Sequence, residues 1–127
     1  MANKSIRLTD GTNNLYPEGA VTGSNSNGTY IKFADGTLVQ YGTKTISVTL
    51  SQIASSGVYY QSKTLNMPLS FASTTYTISG SSRYSTGHIL PIGGIPNTVS
   101  QANICIYDFY ARSGNVSVYW MAVGKWK

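Results

Sequence analysis

Within KTISVTL, residues 44–50, hydroxyl and apolar side chains alternate strictly from Thr45 to Leu50. Ile46, Val48 and Leu50 fall on one side of an extended chain, and the residues between them are Thr or Ser. A repeat of two residues is the pattern of a β-strand with one buried and one solvated face. The segment therefore predicts a strand with one face on the core and the other in solvent. The same pattern excludes an amphipathic helix here.

The rest of the composition favours strands as well. Tyr occupies 10 of 127 positions, and charged residues make up only 10% of the chain, against roughly 25% in an average soluble domain. Thr, Val, Ile and Tyr suit a pleated surface, whereas the strong helix formers Glu and Lys are scarce. The length suits one domain with one core. We predict a single, nearly all-β domain.

Two hairpins can be proposed from the turn residues. Asp35-Gly36 separates TYIKF from TLVQYG, and Asp-Gly between aromatic or β-branched residues is a strong hairpin signal. Ser113-Gly114 separates ANICIYDFYAR from NVSVYWMAVGKW, and this pair predicts a second hairpin at the end of the chain. The stretch RYSTGHILPIGGIPNTVSQ between them predicts an irregular loop.

Both strands of the last hairpin are apolar on both faces. In the closing strand Trp120 and Ala122 share one face, and Tyr119, Met121 and Val123 share the other. One apolar face can pack against the other sheet of a sandwich, but the second must also be shielded from solvent, by a loop or by another subunit. Symmetric self-association is the commonest way to supply one. The pattern predicts a homo-oligomer.

The N-terminal residues differ from this strand pattern. Residues 1–21 have few apolar positions around DGTNN, and TGSNSNG follows them. We predict an N-terminal attachment or intertwining segment at 1–21, a linker rich in Gly, Ser and Asn at 22–28, and a β-sandwich domain at 29–127.

Three stretches carry a resemblance to a known family. GTYIKFADGTLVQYG at 28–42, MPLSFASTTYTISGSS at 67–82 and the ending VYWMAVGKWK resemble the C-terminal domain of phage tail-fibre and minor structural proteins, which is similar to the H-type lectins. The resemblance implies an antiparallel β-sandwich of six or seven strands that assembles as a parallel trimer. It further implies that Trp120, Ala122 and Gly124 are structural residues in a strand buried at the trimer.

Charge and cysteine content exclude other classes. The formal net charge is +5, but the basic residues are scattered and no segment forms a stripe that could follow a phosphate backbone, so we expect no nucleic-acid partner. Cys105 is the single cysteine, which excludes an intramolecular disulfide. The N-terminus has no apolar signal segment and no apolar run is long enough to span a bilayer. We expect synthesis in the bacterial cytoplasm and no membrane insertion.

Catalysis is not expected. Glycoside hydrolysis needs two facing carboxyl groups, and among Asp10, Glu18, Asp35 and Asp108 no pair is evident. His88 is the single histidine, and no nucleophile elbow occurs. A lone His on a loop is more often a hydrogen-bonding residue than a ligand. We predict no enzyme, no metal site and no cofactor.

The sequence contains more candidate residues for ligand binding than for catalysis. Saccharides present apolar C–H faces edged by hydroxyl groups, so their sites combine an exposed aromatic ring with planar hydrogen-bonding groups. The segment SSRYSTGH offers Arg83, Tyr84 and His88, and YDFYAR adds Asp108, Tyr110 and Arg112 near the end of a strand. The candidate ligand site consists of Arg83, Tyr84, His88, Asp108 and Arg112. The alternative is that the tyrosines are half-buried strand residues and that the charges form an Asp–Arg surface pair.

The resemblance implies a function. We expect a phage virion structural protein, a fibre-tip or receptor-binding domain that recognises host-surface carbohydrate as a homotrimer. Residues 1–21 would attach it to other virion proteins. The alternative is an architectural fibre or decoration protein that does not touch the host.

Overall fold

The computed structural model describes residues 20–127. Within this range the chain forms ten strands and no helix. The strands are β1 (Val21–Asn25), β2 (Gly28–Lys32), β3 (Thr37–Leu50), β4 (Gln52–Ser55), β5 (Val58–Asn66), β6 (Thr77–Tyr84), β7 (Ile89–Leu90), β8 (Ile92–Pro96), β9 (Gln101–Asp108) and β10 (Arg112–Lys125).

The strands form two antiparallel sheets that enclose one core. The large sheet has the order β1-β2-β3-β10-β6-β7, and the small sheet has the order β4-β5-β9-β8. The long strands β3 and β10 pair along their full length, from Thr37 opposite Lys125 to Leu50 opposite Arg112. The prediction of an all-β sandwich is confirmed, and the number of strands is larger than the expected six or seven because several strands are short.

The alternating segment of β3 lies as predicted. Val48 and Leu50 are fully buried, Ile46 packs against the core, and Thr45, Ser47 and Thr49 are exposed. The core also contains Ile104 and Ile106 from the small sheet. Burying an aliphatic side chain of this size contributes roughly 1.5–3 kcal/mol. These residues therefore hold the two sheets together.

The hairpin between β2 and β3 is confirmed. Gly36 has a φ of 98°, in the left-handed region that favours glycine. Its N–H donates to the Phe33 carbonyl at 3.0 Å, and the Asp35 carboxylate accepts the Thr37 N–H at 2.8 Å. The backbone hydrogen bond at Thr37 lowers the pKa of Asp35 below its usual value. Asp35 is thus a turn residue.

The predicted second hairpin is wrong. β9 lies in the small sheet and β10 in the large sheet, so the two strands do not pair with each other. β9 ends at Asp108, the chain crosses from one sheet to the other through Phe109–Ala111, and β10 begins at Arg112. Ser113 and Gly114 are part of β10, where they pair with Thr49 and Val48. The Ser113-Gly114 pair had suggested a turn between them, but β9 pairs with β5 and β8, and β10 pairs with β3 and β6.

The stretch predicted to be an irregular loop also contains regular structure. β7 adds an edge strand to the large sheet beside β6, and β8 adds one to the small sheet beside β9. Pro and Gly interrupt the apolar pattern here, which concealed the strands. Gly94 faces inward, where a Cβ atom would lie 3.0 Å from Ile78, so a larger residue would push the sheets apart.

The Trp120 ring packs against two glycines, Gly42 of β3 and Gly28 of β2. A Cβ atom at Gly42 would lie 3.2 Å from the indole Nε1, and one at Gly28 would lie 3.0 Å from the indole Cζ2. The ring therefore fills space that two ordinary side chains would occupy. Trp120 and Ala122 are buried in the core of a single chain, and Gly124 packs beneath the stacked rings of Phe71 and Tyr76.

The opposite face of β10 is not covered in the single chain. Tyr119, Met121 and Val123 are exposed there, and Tyr41 of β3 lies beside Met121. We call these four residues the outer apolar face. The apolar character of both faces, predicted from the sequence, is thus present, while a partner chain in contact with this face stays a prediction.

Residues 22–28, predicted to be a linker, occupy β1 and the turn to β2. Val21–Asn25 pairs with Gly28–Lys32 across the turn, where the Asn25 side-chain oxygen accepts the Asn27 N–H at 2.9 Å. The Asn25 amide also donates to the Pro68 carbonyl at 3.0 Å. The small polar residues thus form a short edge strand and the turn that follows it. The predicted attachment segment at 1–21 lies, apart from its last two residues, outside the described residues.

Candidate functional site

The crossing from β9 to β10 places a carboxylate at one end of the sandwich. Asp108 follows Ile104 and Ile106 on the inward face of β9, and it is only 3% exposed. A carboxylate buried to this degree needs partners, because desolvation without them costs several kcal/mol. The chain supplies these partners from the crossing itself and from the β6–β7 turn.

Three groups surround the Asp108 carboxylate. The Phe109 N–H donates to Oδ1 at 2.6 Å, the Arg112 Nε–H donates to Oδ2, and His88 Nε2 lies 3.7 Å from Oδ1. Arg112 follows Asp108 by four residues, so the short crossing brings the pair together. We call His88, Asp108 and Arg112, with the rings of Tyr84 and Tyr110, the Asp108 cluster.

Two aromatic rings flank the Arg112 guanidinium. Its central carbon lies 5.6 Å from the Tyr84 ring centroid and 5.3 Å from that of Tyr110, within the range of a cation–π contact. Asp108 and the two rings thus fix the direction of the guanidinium. Arg112 has five N–H donors, and its Nε–H serves Asp108. The other donors can serve a ligand.

Tyr84 is part of the wall of the site. Its side chain is 6% exposed, and its hydroxyl has no hydrogen-bond partner among residues 20–127. Burial, and secondarily the charge of Asp108, raises the pKa of Tyr84 above its usual value. The sequence had suggested Tyr84 as an exposed ring for a sugar face, and this is wrong because its position on β6 points inward.

Arg83 does not join the cluster. It lies one position before Tyr84 on β6, so its side chain points to the opposite face of the large sheet, where it is exposed beside Ser117 and Ile89. His88, Asp108 and Arg112 do come together, as the sequence suggested. Their role in ligand binding stays a prediction. The alternative prediction of an Asp–Arg pair is correct in its geometry, although Asp108 is buried and not on the surface.

The exposed rings at this end of the sandwich are Phe109 and Tyr110. They are 70% and 64% exposed, respectively, because β9 ends before them and the crossing turns them outward. The sequence had grouped Tyr110 with Asp108 and Arg112 near the end of a strand, but it continued that strand as far as Arg112. In the structure β9 ends at Asp108.

A shallow pocket adjoins Arg112. It has a volume of about 280 Å³, and its lining adds hydroxyl and amide groups to the cluster. The lining residues are Tyr84, Ser85, Thr86, Arg112, Ser113, Gly114 and Asn115. The site thus combines a fixed guanidinium, an exposed tyrosine and short polar side chains, which is chemistry suited to hydrogen bonding with a polyhydroxyl ligand.

The described residues have neither a metal-binding cluster nor a membrane-spanning helix. Residues 20–127 contain no cluster of three or more His, Cys, Asp or Glu side chains that could hold a metal ion. Over the same range, no helix is long and apolar enough to cross a membrane.

Comparison with known proteins identifies the fold. No family model and no curated protein sequence matches the chain. Among solved structures, the fibre of the P. aeruginosa R1 pyocin, comprising C-terminal residues 323–701, matches with a TM-score of 0.57 and 16% identity. The match covers 85% of this chain and 28% of the pyocin chain, so this chain spans less than a third of that fibre fragment.

A second structure, of the N-truncated R1-type pyocin tail fibre, gives the same TM-score and identity, and here the match covers 87% of the fibre chain. At this level of identity the likeness concerns the fold. The chain therefore has a two-sheet β fold similar to that of a pyocin tail-fibre fragment.

Proposed function

We propose that this protein is a virion fibre-tip or receptor-binding domain that recognises host-surface carbohydrate as a homotrimer. Two observations support the proposal. The fold is similar to a fragment of a pyocin tail fibre, and the stretches 28–42, 67–82 and the C-terminal ending resemble phage tail-fibre domains. A binding function, without catalysis, suits a site in which the carboxylate of Asp108 is already paired with Arg112.

The single observation that carries the proposal is the pairing of a buried carboxylate with a guanidinium beside an exposed ring. Tyr110 offers an apolar face for the C–H side of a pyranose. Arg112, held by Asp108, offers planar donors to neighbouring hydroxyl or carboxylate oxygens. His88 adds a further polar group at the rim. Because Asp108 is buried, it positions Arg112 and does not itself contact the ligand.

The outer apolar face supports the trimeric part of the proposal. Tyr41, Tyr119, Met121 and Val123 form a contiguous set at the middle of the large sheet. Contiguous apolar patches of this kind mark interaction sites, and a second copy of the same chain is the simplest cover. Residues 1–21 are proposed to join the trimer to other virion proteins.

The experiment is a glycan array, followed by adsorption of the protein to host cells. We expect saccharide binding by the wild type, loss of binding in Tyr110→Ala, and normal binding in Arg83→Ala. Both substitutions remove an exposed side chain, so neither is expected to change stability by more than about 0.5 kcal/mol. Arg83→Ala is the matched control, because Arg83 lies on the opposite face of the sheet.

The outcomes separate the two functions. Saccharide binding that Tyr110→Ala abolishes supports recognition at the Asp108 cluster. Absence of binding to every host-derived polymer would favour a purely architectural fibre or decoration protein. Shortened oligosaccharide products would instead reveal a depolymerase.

A further inference from the structure

The outward face of the small sheet contains a trough that runs across its strands. Ser62 of β5, Cys105 of β9 and Gly93 of β8 lie side by side in register and face away from the core. All three side chains are small or absent. A Cβ atom at Gly93 would meet nothing within 4 Å, so the trough is open at this edge.

Larger side chains stand on both sides of this row. Tyr60 and Tyr107 form the adjacent row, with ring centroids 6.4 Å apart. Thr64, Asn103 and Ile95 form the row on the other side. Rows on one face are two residues apart, so the Cα atoms of Tyr107 and Asn103 on β9 are separated by about 14 Å. We call this feature the β9 groove.

The size and shape of the β9 groove fit a small ligand. Its volume is about 400 Å³, and Ser62, Gly93, Ile95, Asn103 and Tyr107 are among its lining residues. Ligand pockets in proteins start at about 300 Å³. The Tyr107 ring lies on one side of the groove, and Asn103 and Ile95 lie on the other. A ligand with an apolar face and hydrogen-bonding edges could therefore stack on the ring and form hydrogen bonds with the amide.

No charged side chain faces this groove from the described strands. The outward positions of β5 and β9 are occupied by Val, Tyr, Ser, Thr, Asn, Gln and Cys, whereas Lys63 lies in the alternate register. Interaction with the neighbouring Cys105 thiol raises the pKa of Tyr107 above its usual value. The groove thus lacks the charges that would attract an ionic ligand.

We propose that the β9 groove is a second saccharide site and that it takes a neutral pyranoside, stacked on Tyr107 and hydrogen-bonded to Asn103 and Ser62. This inference rests on the proposed function for its class of ligand. It concerns different residues on a different sheet face, so the groove and the Asp108 cluster can be tested separately. A neutral ligand distinguishes the groove from the cluster, where Arg112 supplies a charge.

Cys105 provides the measurement, because it is the single cysteine and lies in the floor of the groove. The experiment follows the reaction of the full-length protein with N-ethylmaleimide in the presence of methyl glucoside, methyl galactoside or N-acetylglucosamine. When a glycoside is present at about ten times its dissociation constant, about a tenth of the grooves are free and the reaction slows about tenfold. We expect saturable protection by at least one of the three.

Three comparisons make the test specific. Protection should be the same at about 0.02 M and about 0.5 M NaCl, since the groove has no charge to screen. Gly93→Leu fills the trough and Tyr107→Ala removes the aromatic wall, so both should abolish protection. Ser47→Leu places the same new side chain on an exposed position of the other sheet and should leave protection unchanged.

Several results would overturn the inference. They are absence of protection by all three glycosides, protection that persists in Gly93→Leu, and a thiol that is unreactive in the free protein because another copy of the chain covers the groove. The proposed function is judged by a different variant, Tyr110→Ala. Host binding that depends on Tyr110 without protection of Cys105 would reject the groove alone.

Discussion

Replacement of Asp108 by Ala tests whether the carboxylate organises the end of the sandwich. The side chain is 3% exposed and accepts hydrogen bonds from the Phe109 N–H and from Arg112. Hydrogen bonds to charged groups contribute roughly 1.5–3 kcal/mol each. The hydrogen bond from Arg112 is expected to contribute less free energy than this, because the Arg112 side chain is 35% exposed and can turn into solvent. We expect Asp108→Ala to lower the free energy of unfolding by about 2–4 kcal/mol.

The assay is urea unfolding followed by tryptophan fluorescence, since Trp120 is buried in the core. Asp35→Ala is the matched control. Asp35 also accepts a backbone N–H, but it does so in an exposed turn, so a smaller loss is expected. A double mutant with Arg112→Ala measures the pair itself, and we expect the two losses to fall short of additivity by about 1 kcal/mol.

Asp108→Asn separates the structural role from the electrostatic one. The amide keeps the size of the side chain and can still accept the Phe109 N–H, but it does not hold the Arg112 guanidinium by charge. We expect a folded protein with weakened saccharide binding. Asp108→Ala with a stability within about 0.5 kcal/mol of the wild type would refute this reasoning, because the carboxylate would then contribute no more than a surface charge.

Three further substitutions test other parts of the structure. Trp120→Ala should cost about 3–5 kcal/mol, since it empties the buried space that the indole fills against Gly28 and Gly42, and an unchanged melting temperature would contradict this packing. Tyr84→Phe removes a buried hydroxyl that has no partner among residues 20–127, so the variant should be at least as stable as the wild type in urea unfolding at pH 7. Because the pKa of Tyr84 is raised in the folded protein, wild-type stability should fall as the pH rises above about 10, where the unfolded tyrosine ionises, and it should fall less in the variant; equal alkaline slopes would contradict this. Light scattering should give three times the 13.7 kDa of one chain and a lower mass for Met121→Lys, and a monomeric wild type would reject the trimer.

Much of the fold is local and could be predicted from the sequence. The alternation of Ile46, Val48 and Leu50 defines the buried face of β3, and Asp35-Gly36 defines the turn before it. The assignment of β9 and β10 to different sheets could not be predicted, because it depends on pairing with β5 and β3, far away in the chain. β7 and β8 were concealed because Pro and Gly interrupt their apolar pattern.

In the candidate site, too, the features that depend on neighbouring residues could be predicted, and those that depend on long-range strand pairing could not. Asp108 and Arg112 are four residues apart, so their meeting needs only a short turn and could be inferred. The opposite orientation of Arg83 and Tyr84 depends on where β6 places its inward positions, which is set by its pairing with β10. The predicted strand ANICIYDFYAR extended to Arg112, whereas β9 ends at Asp108, because the apolar pattern continues through the crossing.

Recognition of saccharide at the Asp108 cluster can be measured by NMR titration of the protein with oligosaccharides released from the host surface. We predict that the side-chain resonances of Tyr110 and Arg112 shift in a saturable way with at least one oligosaccharide, while those of Arg83 stay unchanged. If no resonance shifts with any host oligosaccharide, or if shifts occur only at residues remote from this end of the sandwich, the cluster is not the receptor site.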